Sequence, residues 1–311
     1  MKYLKKAALP GALLACGLAF GAHAAYAKDL HAVGISVGSL GNPYFLSLVK
    51  GATDSAHAIN PDARVFAVSS DYDLGKQSSQ IDNFIASGVD LILLAAADPH
   101  AIGAAVKRAK AAGIVVVAVD VEADGADATI QTDNKQAGRL SCAFLASAIG
   151  GRGAVIIQNG PQTSSVIERV DGCKESLAKH PDIRILSDNQ NGKISRDGGL
   201  DVMMGYLTRF PDFQGLFTVA DPQAIGSNLA ARQLRRRGIV ITSVDGSPDV
   251  VDALKTDTLI QATASQNPAE QGSLGVRTGY DLMNGKKPAQ DVTLLPPQLV
   301  DRKNVASYKG W

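Results

Sequence analysis

Residues 32–70 read AVGISVGSLGNPYFLSLVKGATDSAHAINPDARVFAVSS, and the alternation inside that stretch decides the fold class. Val33 to Val37 is a short β-branched run. Pro43 to Ala58 spaces its apolar residues as an amphipathic helix does, and Arg64 to Ser69 is a second strand-like run. A strand, a helix and a strand in that order predict a βαβ unit, hence a parallel sheet covered on both faces.

The same beat continues on either side. Lys76 to Ser87 reads as a helix, Asp90 to Ala95 as a strand, Ala101 to Ala112 as a helix and Ile114 to Val119 as a strand. A short extended piece at Thr129 to Gln131 intervenes, and the pattern restarts. Helices at Gln136 to Ile149, Ser165 to Lys179, Arg196 to Phe210 and Gln223 to Arg236 alternate with strands at Ala154 to Gln158, Ile183 to Asp188, Leu216 to Val219 and Val240 to Val244. Two similar sets of units in tandem predict an α/β protein of two Rossmann-like lobes with a cleft between them. Gly88 and Gly113 stand between a helix and a strand, where a left-handed C-cap is wanted. Pro43, Pro222, Pro248 and Pro268 stand where helices should start.

The N-terminal residues read differently. Lys2, Lys5 and Lys6 precede an uncharged apolar run from Ala7 to Ala22 that ends in Ala25-Tyr26-Ala27. That is the pattern of a secretory signal peptide over residues 1–27, too short in its apolar run for a membrane span. An alternative takes Leu13-Leu14-Ala15-Cys16 as a lipoprotein box with Cys16 lipidated, but the apolar run continues past Cys16 where a polar tether would begin. The leader contains three lysines and no acid, so its removal takes the formal charge from +1 to −2. Such a balance gives no electrostatic footprint for nucleic acid, and the basic run from Arg232 to Arg237 reads as a solvated helix end. The remaining cysteines, Cys142 and Cys173, are expected as two buried free thiols, with a disulfide as the alternative that an exported chain permits.

Ligands of open α/β sheets bind beyond the carboxyl ends of the strands, so the loops there are the candidate site. They hold Ser39, Asn42, Tyr44 and Phe45 after the first strand, Asp120 after the fourth, Asp221 and Asp245 after two later strands, and Gln266 in the last connection. Arg169 lies a turn into a helix. Carboxylates accept from vicinal hydroxyls, Arg and Asn donate back, and aromatic faces cover C–H surface, which together suit a sugar or polyol. An Asp after a strand can equally N-cap the next helix, and for each Asp singly that alternative stays open. No G-x-G-x-x-G follows the first strand, and neither a Walker motif nor a G-x-S-x-G elbow occurs. His31, His57, His100 and His180 lack metal-ligand spacing, so neither metal nor cofactor is expected and an enzyme is not the leading reading.

Asn42-Pro43-Tyr44-Phe45, Gly88-Val89-Asp90, Thr132-Asp133-Asn134, Glu168-Arg169, Val244 to Asp249 and Gln266-Asn267-Pro268 together resemble the type I periplasmic binding proteins of sugar ABC transporters, the ribose-binding group most closely. The resemblance covers nearly the whole chain after the leader. It implies a type I fold with a three-crossing hinge, lobe 1 at Lys28 to Gln131 plus Gln266 to Gln290, and lobe 2 at Thr132 to Ser265 plus residues 291–311. It also implies a periplasmic monomer that delivers a monosaccharide or polyol to permease subunits, or presents it to a signalling receptor. Ser39 and Asn42 would bond ligand hydroxyls, Phe45 helped by Tyr44 would pack on one ring face, and Asp120, Arg169, Asp245 and Gln266 would complete the polar contacts. This chain departs from the ribose pattern at Val121, Ala220, Val244 and Ile194, where that group has two donors and two aromatics. Ribose itself is therefore not the expected ligand. The related repressors are set aside because the leader stands in place of a DNA-binding headpiece.

Overall fold

The computed structural model describes residues 1–3 and 28–311; the expected signal peptide and the Cys16 alternative lie outside the described residues. The first sheet is entered through β1 (Ala32–Val37), β2 (Arg64–Ser69), β3 (Leu91–Leu94), β4 (Val115–Val119) and β5 (Ala128–Thr132), joined by α1 (Pro43–Ile59), α2 (Leu74–Ala86) and α3 (Gly103–Ala111). The second uses β6 (Gly153–Gln158), β7 (Ile183–Ser187), β8 (Gly215–Thr218), β9 (Val240–Asp245) and β10 (Ile260–Ser265). Its helices are α4 (Asn134–Ala148), α5 (Ser164–Leu177), α6 (Arg196–Arg209), α7 (Asp221–Gln233) and α8 (Pro248–Leu254). Then come α9 (Pro268–Met283), β11 (Val292–Leu295) and β12 (Leu299–Asp301).

The sheets have equivalent orders, β11-β5-β4-β3-β1-β2 and β12-β10-β9-β8-β6-β7. The pairs are parallel except β10 with β12. Strand order reverses at β1 and at β6, which opens a crevice beyond the carboxyl ends in each lobe. Burial follows from this layering: β3 is Leu91-Ile92-Leu93-Leu94 with every residue buried, as a strand covered on both faces must be.

Three segments pass between the sheets, at β5 to α4, β10 to α9, and β11 to β12. The last passage corrects the expected boundary at residue 290. Val292–Leu295 pairs with β5 in the first sheet, and the return follows Pro296 and Pro297, which have no N–H to extend a ladder.

Cys142 and Cys173 are joined in a disulfide, Cα to Cα 5.0 Å, which corrects the expectation of free thiols. The reason is helix packing. Gly138 of α4 lies so close to α5 that a Cβ there would sit 2.1 Å from the Arg169 carbonyl, and Gly172 meets Lys135 in the same way. Helices in such contact bring the two cysteines within bridging reach.

Candidate functional site

Two carboxylates mark the site through their backbones. Asp120 follows β4 with φ of 67°, and Asp245 ends β9 with φ of 143°, conformations that residues with a side chain rarely adopt. Such strain costs about 1–3 kcal/mol each and collects where a side chain must be aimed. Neither Asp caps the helix that would follow it in the chain, although Asp245 does accept from the first N–H of α7. No helix starts after Asp120, and α8 is capped by Ser247, whose side chain accepts from the Val250 N–H. Capping of the next helix in the chain is thereby set aside for both.

In the second lobe Asp245 sits in a prebuilt charged network. Its Oδ1 accepts from Gln266 Nε2 at 2.8 Å and lies 3.6 Å from Arg169 Nη1, while Oδ2 accepts from the Asp221 N–H at 3.0 Å. Arg169, only 4% exposed, also donates from Nε to Asn134 Oδ1 and from Nη1 to the Val219 carbonyl, both at 2.9 Å. Asp221 is fully buried behind Asp245. It accepts from the Thr263 and Ser243 hydroxyls through one oxygen and from the Ser247 N–H through the other. Burial pushes the Asp221 carboxyl up, against the pull of those donors. Burial first, and the neighbouring Asp221 second, push the Asp245 carboxyl up, while the Arg169 guanidinium pulls it back toward the ionised form.

In the first lobe the site is built on the start of α1. Asn42 caps that helix by accepting the Tyr44 N–H at 3.0 Å, which leaves its amide NH₂ for a ligand. Tyr44 and Phe45 meet edge to face with centroids 5.2 Å apart. The Tyr44 hydroxyl is within 2.8 Å of both Asp120 Oδ1 and Gln271 Oε1. One phenolic proton serves only one of these acceptors at a time; burial raises the Asp120 carboxyl from its ordinary value, while the Arg169 charge and the Tyr44 hydroxyl pull it back. From there donors run one way across the crossings. Tyr44 gives to Gln271, Gln271 to Thr132, Thr132 to Gln266 and Gln266 to Asp245, each at 2.8 Å.

A cavity between the lobes gathers Asn42, Tyr44, Phe45 and Asp120 from one side with Arg169, Asp245 and Gln266 from the other. Two expected contacts are not there. Ser39 lies in the outer groove, and Asp221 lies beneath Asp245, its oxygens consumed by protein donors. Sequence reasoning missed Tyr72, Thr163 and Ser165, which line the cavity. Thr163 and Ser165 follow β6 and obey the strand-end rule that found the others; Tyr72 sits in a polar turn that gave no signal. Of the four departures from the ribose pattern, Val121, Ala220 and Ile194 form an apolar wall of the cavity, whereas Val244 is buried in the core behind it.

Comparison with known proteins meets this geometry directly. Residues 33–287 match the model of the periplasmic binding protein domain. The chain belongs to that family. Among curated members, the ribose import binding protein of Bacillus subtilis is 31% identical over 264 residues, covering 84% of each chain. The xylitol-binding protein of Mycolicibacterium smegmatis is 30% identical over 300 residues, covering 94% of this chain and 83% of that one. Among solved structures, an ABC transporter solute binding protein of Mycobacterium smegmatis with bound glycerol superposes with a TM-score of 0.84 at 25% identity, covering 91% of this chain and 98% of that one. One from Agrobacterium vitis bound to α-D-tagatopyranose gives 0.81 at 27% identity, over 88% and 96%. In this chain the lining groups on the two sides differ in kind: aromatics, an amide and one carboxylate on the first, an Arg–Asp pair with small hydroxyls on the second.

Proposed function

We propose that this periplasmic binding protein is the capture component of an ABC uptake system, taking a monosaccharide or related polyol into the cleft and delivering it to membrane permease subunits. It is no enzyme in this reading; it works as an exported monomer in the periplasm, released by cleavage of the leader at residues 1–27. The observation that carries the reading is the convergence on one cavity of Asn42, Asp120, Arg169, Asp245 and Gln266, with Phe45 as the apolar face. Relatives named for ribose and xylitol support the ligand class. The wall of Val121, Ala220 and Ile194 cannot hydrogen-bond a hydroxyl, which favours a ligand with an apolar or unsubstituted edge.

Capture works by closure. The lobes already touch where the Glu122 N–H donates to Ser164 Oγ at 2.8 Å, and hydroxyls enclosed there make their bonds in a water-poor space where bonds strengthen. Calorimetry against glycerol, pentitols, pentoses, deoxy sugars and hexoses tests the reading, with melting followed in parallel. A true ligand at a hundredfold its Kd should stabilise the fold by about 2.7 kcal/mol, and small-angle scattering should show compaction. Absence of any stabilising sugar or polyol would sink it.

A further inference from the structure

The inner cavity leaves a space for water centres of only ≈ 20 Å³, room for about one or two waters. Immediately outside, the cleft widens into a groove with ≈ 760 Å³ by the same measure. Three side chains line both spaces and so form the partition between them: Asn42, Tyr72 and Ile194. Ile194 belongs to the second lobe and moves away when the lobes part. Tyr72 belongs to the first lobe, as do Asn42, Phe45 and Asp120, so no hinge motion changes its place relative to them.

Its place is fixed locally. The Tyr72 ring lies over Gly38, where a Cβ would come within 2.5 Å of ring atoms, so the approach depends on that glycine. Asp71 and Tyr72 are two consecutive residues with positive φ, 54° and 58°. The turn is pinned on both sides: Asp71 accepts from Ser69 Oγ at 3.0 Å and from Lys76 Nζ at 2.6 Å, and Asp73 caps α2 through the Lys76 N–H. A strained and anchored turn of this kind holds an aimed side chain rather than a mobile one. Among the described residues no protein hydrogen bond engages the Tyr72 hydroxyl, although the charges of Asp120 and Asp245 both act on it.

We propose that Tyr72 is a specificity residue: its ring closes the outer end of the cavity so that the site admits compact acyclic polyols and excludes six-membered rings, and its hydroxyl bonds the ligand. This rests on the cleft being a sugar or polyol site. The ring stands between the inner cavity and the outer groove and so limits the cavity's extent, while the unengaged hydroxyl supplies a donor that Val121 and Ala220 cannot.

The test is calorimetry on the mature protein and on Tyr72→Ala and Tyr72→Phe, with glycerol, erythritol and xylitol set against D-allose and myo-inositol. The parent should bind its best acyclic polyol at least about tenfold more tightly than either ring compound. Tyr72→Ala should erase or reverse that ratio, and Tyr72→Phe should keep it while losing about tenfold in affinity for the preferred polyol, the weight of one buried hydrogen bond. Equal affinity of the parent for rings and acyclic polyols overturns the proposal, as does an unchanged ratio in a Tyr72→Ala protein that melts like the parent. Should Tyr72→Ala fail to fold, Tyr72→Phe decides: an unchanged polyol affinity removes the hydroxyl from the site. Binding of rings alone by the parent would leave the cleft reading standing and this one refuted, whereas binding of none would remove both.

Discussion

The two lobes share a sheet order but hold their halves of the site by different means. The first lobe has a single continuous apolar core, and its carboxylate, Asp120, is secured by one tyrosine hydroxyl. The second lobe has its core divided by the sheet into two clusters; a disulfide staples α4 to α5, and Asp245 is caught between a guanidinium, an amide and a second buried carboxylate. One topology therefore supports either a soft or a rigid half-site. The difference arises from which side chains stand at equivalent strand ends, not from the strands.

The largest expected effect separates the two carboxylates. Asp245→Asn removes the charge that faces buried Arg169, and truncating one member of such a pair costs about 2–5 kcal/mol, roughly thirty- to several-thousand-fold in Kd. Asp120 is held by one neutral hydroxyl, that of Tyr44, and forms no ion pair among the described residues, so Asn there keeps the shape of the side chain and weakens a single contact. Asp120→Asn should stay within about tenfold of the parent, the weight of one hydrogen bond. Calorimetry with the ligand returned by the screen measures both, and equal losses would show that the lobes are not asymmetric in this sense.

Next in size is the staple. Replacing Cys142 and Cys173 together by Ser opens a cross-link that spans 31 residues of sequence, worth about 3–4 kcal/mol on chain-entropy grounds. The denaturation midpoint should fall accordingly. Affinity should fall only a few-fold, because Arg169 keeps Asn134, Val219 and Asp245 as partners. A variant with parental stability but lost binding would mean that the disulfide aims Arg169 rather than holding the helices.

Much of this was legible in the sequence, and the failures have physical causes. Alternating β-branched runs and amphipathic segments placed β1 to β9 and α1 to α7 within a few residues of their ends, since burial on both faces leaves a strong pattern. Val292–Leu295 escaped because an edge strand with alternate residues exposed resembles a loop. Asp221 and Asp245 follow strands in the same way, yet only packing against Ser243, Thr263 and Ser247 makes one structural and leaves the other to line the cavity. The disulfide depended on the approach of two helices at Gly138 and Gly172, a tertiary distance that spacing does not encode. Asp71-Tyr72-Asp73 reads as a polar turn, and nothing in its composition says which way the ring points.

The smallest expected effect probes the seam where the lobes meet. Glu168 on α5 is half-buried; burial, then the charges of Glu122 from the first lobe and Asp133 at the first crossing, push its carboxyl up to about 7, while Arg169 and Lys135 pull it down. A carboxyl raised in the fold above its unfolded value binds its proton more tightly when folded. Its contribution to stability is therefore fully present below about 4.5, the unfolded value, and is lost as pH rises through about 7. Glu168→Gln mimics the protonated form at every pH. The variant should melt with the parent at pH 5 and above it at pH 8. The carboxyls of Asp221 and Asp245 are raised as well, but they are present in both proteins and cancel in the difference. A melting difference independent of pH would place Glu168 in open solvent, out of reach of the Glu122 and Asp133 charges.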